Sequence, residues 1–135
     1  MNSSLEVSTS RRCQMIDITD MVNRHALAGG CREGICLLWC THTTAGITVN
    51  EGADPDVAAD ILDRLERLAP RSGGYRHAEG NADAHIKAAL IGPSVAMPVS
   101  GGRLALGTWQ RVFFCEFDGP RSRSVAVTVI AEQKS

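Results

Sequence analysis

The chain has 135 residues, 44% hydrophobic and 21% charged, the composition of an ordinary folded domain rather than a disordered, collagen-like or coiled-coil chain. Fourteen Lys and Arg against fifteen Asp and Glu leave a net charge of −1, so no global field draws the chain to nucleic acid or an anionic membrane. Aromatic residues make up 4%, too few for a base-stacking platform. The longest apolar runs, such as 35–40, fall far short of the roughly 18 residues of a membrane span.

Five cysteines, Cys13, Cys31, Cys36, Cys40 and Cys115, form an odd set with no CxxC pair. Residues 1–13 hold no apolar segment of a secretory signal. Reduced thiols in the cytoplasm are therefore expected. The length, with no linker or repeat, predicts one domain over 1–135.

In chain order, 17–28 reads as a helix capped by Asp17, with Ile18, Met21, Val22 and His25 on one stripe and Gly29-Gly30 as the stop. Residues 34–42 read as a buried strand, with Ile35, Leu37 and Trp39 on one face and Cys36, Leu38, Cys40 and His42 on the other. A short strand follows at 45–50. The clearest helix is 55–68, where Asp54 caps, Pro55 takes the first turn, and Val57, Ile61, Leu65 and Leu68 form the apolar stripe. Asn81 is expected to cap a third helix through residue 90. Strands at 95–99 and 103–106 flank Ser100-Gly101-Gly102, and strands at 108–117 and 124–131 flank Asp118-Gly119-Pro120-Arg121. The last strand alternates Val125, Val127 and Val129 with Ala126, Thr128 and Ile130, so both faces are apolar, which predicts a layered fold or an oligomer contact. The class is α+β.

His42, His77 and His85 sit in polar segments at the ends of predicted elements. In the first turn of a helix, the positive end of the dipole favours neutral imidazole at His85, the form that binds a metal. That same end offers N–H groups to phosphate. Each histidine taken singly also fits a solvated loop residue. Asp83 reads as a ligand, as an acceptor holding an imidazole, or as a helix-favouring first-turn carboxylate. Asn50-Glu51 reads as turn and capping chemistry or as part of a site. Glu116 lies on a strand face with Val112 and Phe114, where a carboxylate needs a partner or a raised pKa. Arg121 or Arg123 could supply a structural ion pair; otherwise Glu116 points into a site.

The segments Cys40-Thr41-His42-Thr43-Thr44-Ala45, Val49-Asn50-Glu51 and Asp54-Pro55-Asp56-Val57 resemble the N-terminal signature of the YjbQ family. Tyr75-Arg76-His77, Asn81-Ala82-Asp83-Ala84-His85-Ile86-Lys87, the run from Gly92-Pro93-Ser94 to Gly107-Thr108-Trp109-Gln110, and Glu116-Phe117-Asp118-Gly119-Pro120-Arg121 continue the likeness in family order. It covers about 13–130. Thr44 is a mild departure, since many relatives carry Ser there, and the hydroxyl is kept.

The resemblance implies an α+β fold built as a two-sheet β-sandwich with about three helices, assembled as a homotrimer. It also implies a thiamine-phosphate synthase-like transferase, joining hydroxymethylpyrimidine diphosphate to a thiazole phosphate with release of pyrophosphate. His42, His77 and His85 fall on the family's histidine positions, a metal and active-site cluster. Asp83, Asn50, Glu51, Ser94, Trp109, Gln110, Glu116 and Arg123 match other motif positions. On this basis His42, Asp83, Glu116, Asn50 and Glu51 are the catalytic candidates, and Asn81, Ser94, Trp109, Gln110, Arg121 and Arg123 the candidates for substrate phosphate. A divalent metal is expected, zinc over magnesium, because three imidazoles suit zinc and carboxylates suit magnesium. The expected partner is a small phosphorylated metabolite, with neither nucleic acid nor membrane. The alternatives are a metal- or phosphometabolite-binding trimer without turnover, and a structural partner of another protein.

Overall fold

Strand alternation decides the layering. A computed structural model of the chain describes residues 2–133. Its elements are β1 (Asn2–Ser8), β2 (Gln14–Asp17), α1 (Thr19–Ala28), β3 (Gly34–Cys40), β4 (Ala45–Glu51), α2 (Pro55–Leu68), α3 (Ala82–Ile91), β5 (Ser94–Ser100), β6 (Arg103–Leu104), β7 (Gln110–Glu116) and β8 (Ser122–Ala131). They form two antiparallel sheets, one ordered β1-β8-β3-β5-β6 and one ordered β2-β7-β4. The α+β class and the two-sheet architecture match the expectation.

On β7, Val112 and Phe114 face the five-stranded sheet and join Val125, Val127, Leu38 and Ile47 in the main core. Phe113 and Cys115 face the other way and, with Phe117, pack beneath the helices against Leu65, Ala84 and Ala88. The three-stranded sheet is thus a middle layer, buried on both faces, which is why β7 reads as a continuous apolar run. Ile18, just ahead of α1, and Met21 and Val22 within it lie against the main core.

Local chemistry accounts for the boundaries. Asp54 accepts from the Asp56 N–H at 2.9 Å and Pro55 opens α2, as its sequence predicts. Gly101 and Gly102 turn the β5–β6 hairpin with φ of +61° and +77°, a left-handed pair that side-chain-bearing residues rarely adopt. α3 comes very close to β4. A Cβ on Gly46 would stand 2.7 Å from the Gly92 carbonyl oxygen, so only glycine lets the end of α3 seat there.

Three expectations change. β1 and β2 were not anticipated, because only Leu5 and Val7 of β1 are buried. α1 begins at Thr19 rather than Asp17, although Asp17 does accept from the Thr19 N–H at 2.9 Å. Asn81 precedes α3 but makes no side-chain cap, because its amide is engaged elsewhere. No helix among the described residues is long and apolar enough to cross a membrane.

Candidate functional site

Two groups of polar side chains meet at one end of the middle sheet. The first is buried between the sheets. Glu116 is on the same face as Val112 and Phe114, and its partner is Arg123, which shares the inward face of β8 with Val125 and Val127. Arg123 donates through Nε to Glu116 Oε1 at 2.8 Å and through a terminal nitrogen to Oε2. It also reaches Thr44 Oγ1 at 2.8 Å. Thr9 Oγ1 donates to Oε1 at 2.8 Å, and the backbone N–H groups of Phe117 and Asp118 donate to Oε2 at 3.0 Å each. Burial alone would push the carboxyl pKa up, but the Arg123 guanidinium and these donors hold it below the ordinary value. Every oxygen position is used. Glu116 and Arg123 are therefore a structural pair in which both carboxylate oxygens are engaged.

The second group surrounds the start of α3. The 118–121 turn, which Glu116 pins through its N–H groups, carries Asp118 and Arg121. Asp118 Oδ2 accepts from Arg121 at 3.0 Å and from the Asn81 amide at 3.0 Å. Asn81 Oδ1 in turn faces His77 Nε2 at 3.0 Å. His77 stacks edge-on against His85, with ring centroids 5.2 Å apart and planes at 85°. Both imidazoles line an open cleft of about 460 Å³ with Tyr75, Arg76, Ala82 and Ile86.

His42 lies on the Arg121 side of this end. Its Nε2 accepts the Ser124 N–H at 2.9 Å, so in the neutral ring the proton is on Nδ1. Burial, and then the charge of Arg123, holds its pKa below the usual histidine value, so the ring is neutral at neutral pH. Among the described residues, no hydrogen bond, ion pair or ring contact joins His42 to His77 or His85. No group of three or more His, Cys, Asp or Glu side chains is arranged among them to hold a metal ion. The three-histidine zinc centre expected from the resemblance is therefore not assembled within one chain, and these donors do not fit it.

Asp83 is also withdrawn from the ligand set. It is fully buried, receives Arg12 through two bonds of 2.9 and 3.0 Å, and receives Lys87 at 2.9 Å. Burial opposes ionisation, yet those two cations bring its pKa down to about 2. Asn50, Glu51, Trp109 and Gln110 lie at the opposite end of the middle sheet: Glu51 pairs with Gln110, whereas Ala45 pairs with Glu116. Asn50 Oδ1 accepts the Glu51 N–H at 2.7 Å and Glu51 accepts the Asp54 N–H at 2.9 Å, which is turn and capping chemistry. Gln110 accepts the Gly107 N–H at 2.8 Å, and Trp109 is 62% exposed. Ser94 starts β5 opposite Trp39. None of these five touches the His77–His85 cleft.

Sequence reasoning missed Arg12 and Asp118. Asp118 had a readable signal, a carboxylate in a Gly-Pro turn after a buried strand, whereas Arg12 stands 71 positions from its partner. All five cysteines are free, and burial raises the Cys115 thiol to about 12 and Cys36 to about 11, which leaves both unreactive.

Residues 3–132 match the model of the family described as UPF0047 protein YjbQ-like. The chain is similar to UPF0047 protein YugU of Bacillus subtilis, 46% identical over 96% of this chain and 99% of that one. It is also similar to a UPF0047 protein of Methanocaldococcus jannaschii, 42% identical over 95% of this chain and 93% of that one. Among solved structures it resembles a YjbQ/UPF0047 family protein from Clostridium acetobutylicum, with 48% identity, coverage of 95% and 99%, and a TM-score of 0.92. A YbjQ-like protein of unknown function from Sulfolobus solfataricus gives 36% identity, coverage of 98% and 97%, and a TM-score of 0.93.

Proposed function

We propose that this chain, which belongs to the YjbQ-like UPF0047 family, is a cytoplasmic transferase of the thiamine-phosphate synthase type acting on phosphorylated small molecules. The observation that supports this reading is the pairing of His77 and His85 over an open cleft at the start of α3, joined through Asn81 and Asp118 to Arg121. In the reaction, the thiazole nitrogen donates its lone pair to the methylene carbon of the pyrimidine diphosphate. A C–N bond forms, the C–O bond breaks, and its electron pair leaves on pyrophosphate. Charge develops on the leaving phosphate oxygens. Arg121 has N–H donors beyond those given to Asp118, and the α3 N-terminus adds its dipole, so both suit that charge. The imidazoles of His77 and His85 suit proton movement at the departing group.

The test is direct. Purified protein mixed with hydroxymethylpyrimidine diphosphate and thiazole phosphate is expected to release pyrophosphate and thiamine phosphate in equal amounts. His85→Ala is expected to lower the rate about 100-fold, the lower end of what a positioned acid–base group contributes. Its melting temperature should hold, because Ala is the better helix former. Pyrophosphate binding with no product would overturn the transferase and leave a phosphometabolite binder.

The reading includes a homotrimer. The outer face of the five-stranded sheet exposes Ile35, Leu37, Trp39 and Ile130, the last at 62%, and Ile35 lies opposite Ile130, so these residues form one apolar set on adjacent strands. α2 likewise buries only Leu65 of its apolar stripe and leaves Leu68 exposed. Sedimentation equilibrium at micromolar concentration is expected to give three times the 14.5 kDa of one chain. A monomer would rule the assembly out.

A further inference from the structure

Asn81 stands where a helix cap belongs, yet it spends its side chain outward, and that diversion has a chemical effect on His77. We infer that Asp118, acting through Asn81, is a positioning residue that fixes neutral His77 as its Nε2–H tautomer and leaves Nδ1 as the unprotonated nitrogen of the ring.

Donor and acceptor types fix this arrangement. Asp118 is paired with Arg121 at 3.0 Å, so its oxygens accept and do not donate. The Asn81 atom that meets Asp118 Oδ2 at 3.0 Å must then be the NH2 group. This orients the amide regardless of how its oxygen and nitrogen are assigned, and turns Oδ1, an acceptor, toward His77 Nε2 at 3.0 Å. An acceptor facing a ring nitrogen requires a proton there. The second group near Nε2 agrees: Glu79 Oε2, another acceptor, stands 3.6 Å away. Among the described residues no hydrogen bond reaches His77 Nδ1, so nothing competes for the opposite tautomer. A ring that borders the cleft and carries a lone pair on Nδ1 accepts a hydrogen bond from an N–H or O–H of whatever enters. This last step rests on the cleft being the ligand site; the tautomer does not.

The effect is to link two elements distant in sequence. Glu116 fixes the backbone of the 118–121 turn, that turn fixes Asp118, and Asp118 orients the Asn81 amide. Removing the carboxylate at Asp118 permits the Asn81 amide to rotate and offer its NH2 to Nε2, which selects the Nδ1–H form instead.

The experiment is ring-nitrogen NMR of the full, uniformly 15N-labelled protein without substrate, at a pH where the histidines are neutral. In the native protein, His77 is expected to show Nε2 in the protonated, pyrrole-like range and Nδ1 in the unprotonated, pyridine-like range. Asp118→Ala and, separately, Asn81→Ala should each convert this to a mixture or to the Nδ1–H form, while Glu79→Gln leaves it as it is. A native Nδ1–H tautomer overturns the inference. So does an Asp118→Ala protein that keeps the native pattern, or a Glu79→Gln protein that loses it. Because the readout needs no substrate, a negative synthase assay beside the expected tautomer would reject the transferase alone. A native Nδ1–H ring would reject the positioning role whatever the assay gives.

Discussion

Glu116→Gln is expected to lower the free energy of unfolding by about 3–5 kcal/mol, the cost of leaving one half of a buried ion pair without its partner. Five donors converge on the two carboxylate oxygens: two from Arg123, the Thr9 hydroxyl, and the N–H groups of Phe117 and Asp118. Glutamine replaces one acceptor oxygen with an NH2 that points into N–H groups and removes the only countercharge that contacts Arg123 among the described residues. Arg123 is 2% exposed and cannot recover water. Adding Arg123→Met to Glu116→Gln should return part of the loss, because the stranded charge then goes too, and a double-mutant cycle reads the coupling. Urea unfolding is the measurement: a lower midpoint at unchanged slope is expected. Had Glu116 been a ligand or catalytic carboxylate, the midpoint would hold and activity or ligand binding alone would fall.

Much of this was legible from local pattern, and the failures have two causes. α2 was legible to its limits because its cap, its first-turn proline and its apolar stripe are all encoded within the consecutive residues 54–68. Two apolar faces were legible in the last strand, β8, from the alternation of Val125, Val127 and Val129 with Ala126, Thr128 and Ile130. The choice between Arg121 and Arg123 as the partner of Glu116 turned on where β8 begins: both share the odd parity of Val125 and Val127, but only Arg123 lies within the strand. β1 carried only Leu5 and Val7 as inward residues, too short a signal to separate from a polar terminus. The site failed differently. Spacing places His85 in a first turn, but whether His42 reaches it depends on how β3, α3 and the 118–121 turn meet in space. The structure gives His42 to Ser124 and gives His77 to Asn81, so histidines that match one motif do not form one ligand set. Asp83 and Lys87 were readable as an i,i+4 pair, while Arg12 was not, because no local rule connects residues 71 positions apart.

That distant contact leads to the second large effect. Asp83→Asn is expected to cost about 3 kcal/mol or more at neutral pH, because it removes the carboxylate that neutralises buried Lys87 and receives both prongs of Arg12. Lys87 is 1% exposed and would keep only Glu66, whose side chain is 48% exposed. The network ties three segments together: Arg12 ahead of β2, α3 through Asp83 and Lys87, and α2 through Glu66. Its pH dependence has a definite sign. The Asp83 pKa falls from 3.8 when unfolded to about 2 when folded, so its contribution is full above about pH 4 and is lost as pH falls toward 2. A shift of that size corresponds to about 2 kcal/mol of stability that depends on pH. The wild-type protein should therefore lose stability more steeply between pH 4 and 2 than Asp83→Asn, which has already lost this carboxylate. Urea midpoints taken across that range measure both slopes. α3 carries His85 and begins beside Asn81, so loosening its anchor should also weaken whatever the cleft binds. An Asp83→Asn protein as stable as wild type at pH 7 and equally acid-sensitive, yet inactive, would return Asp83 to the site and remove it from the scaffold.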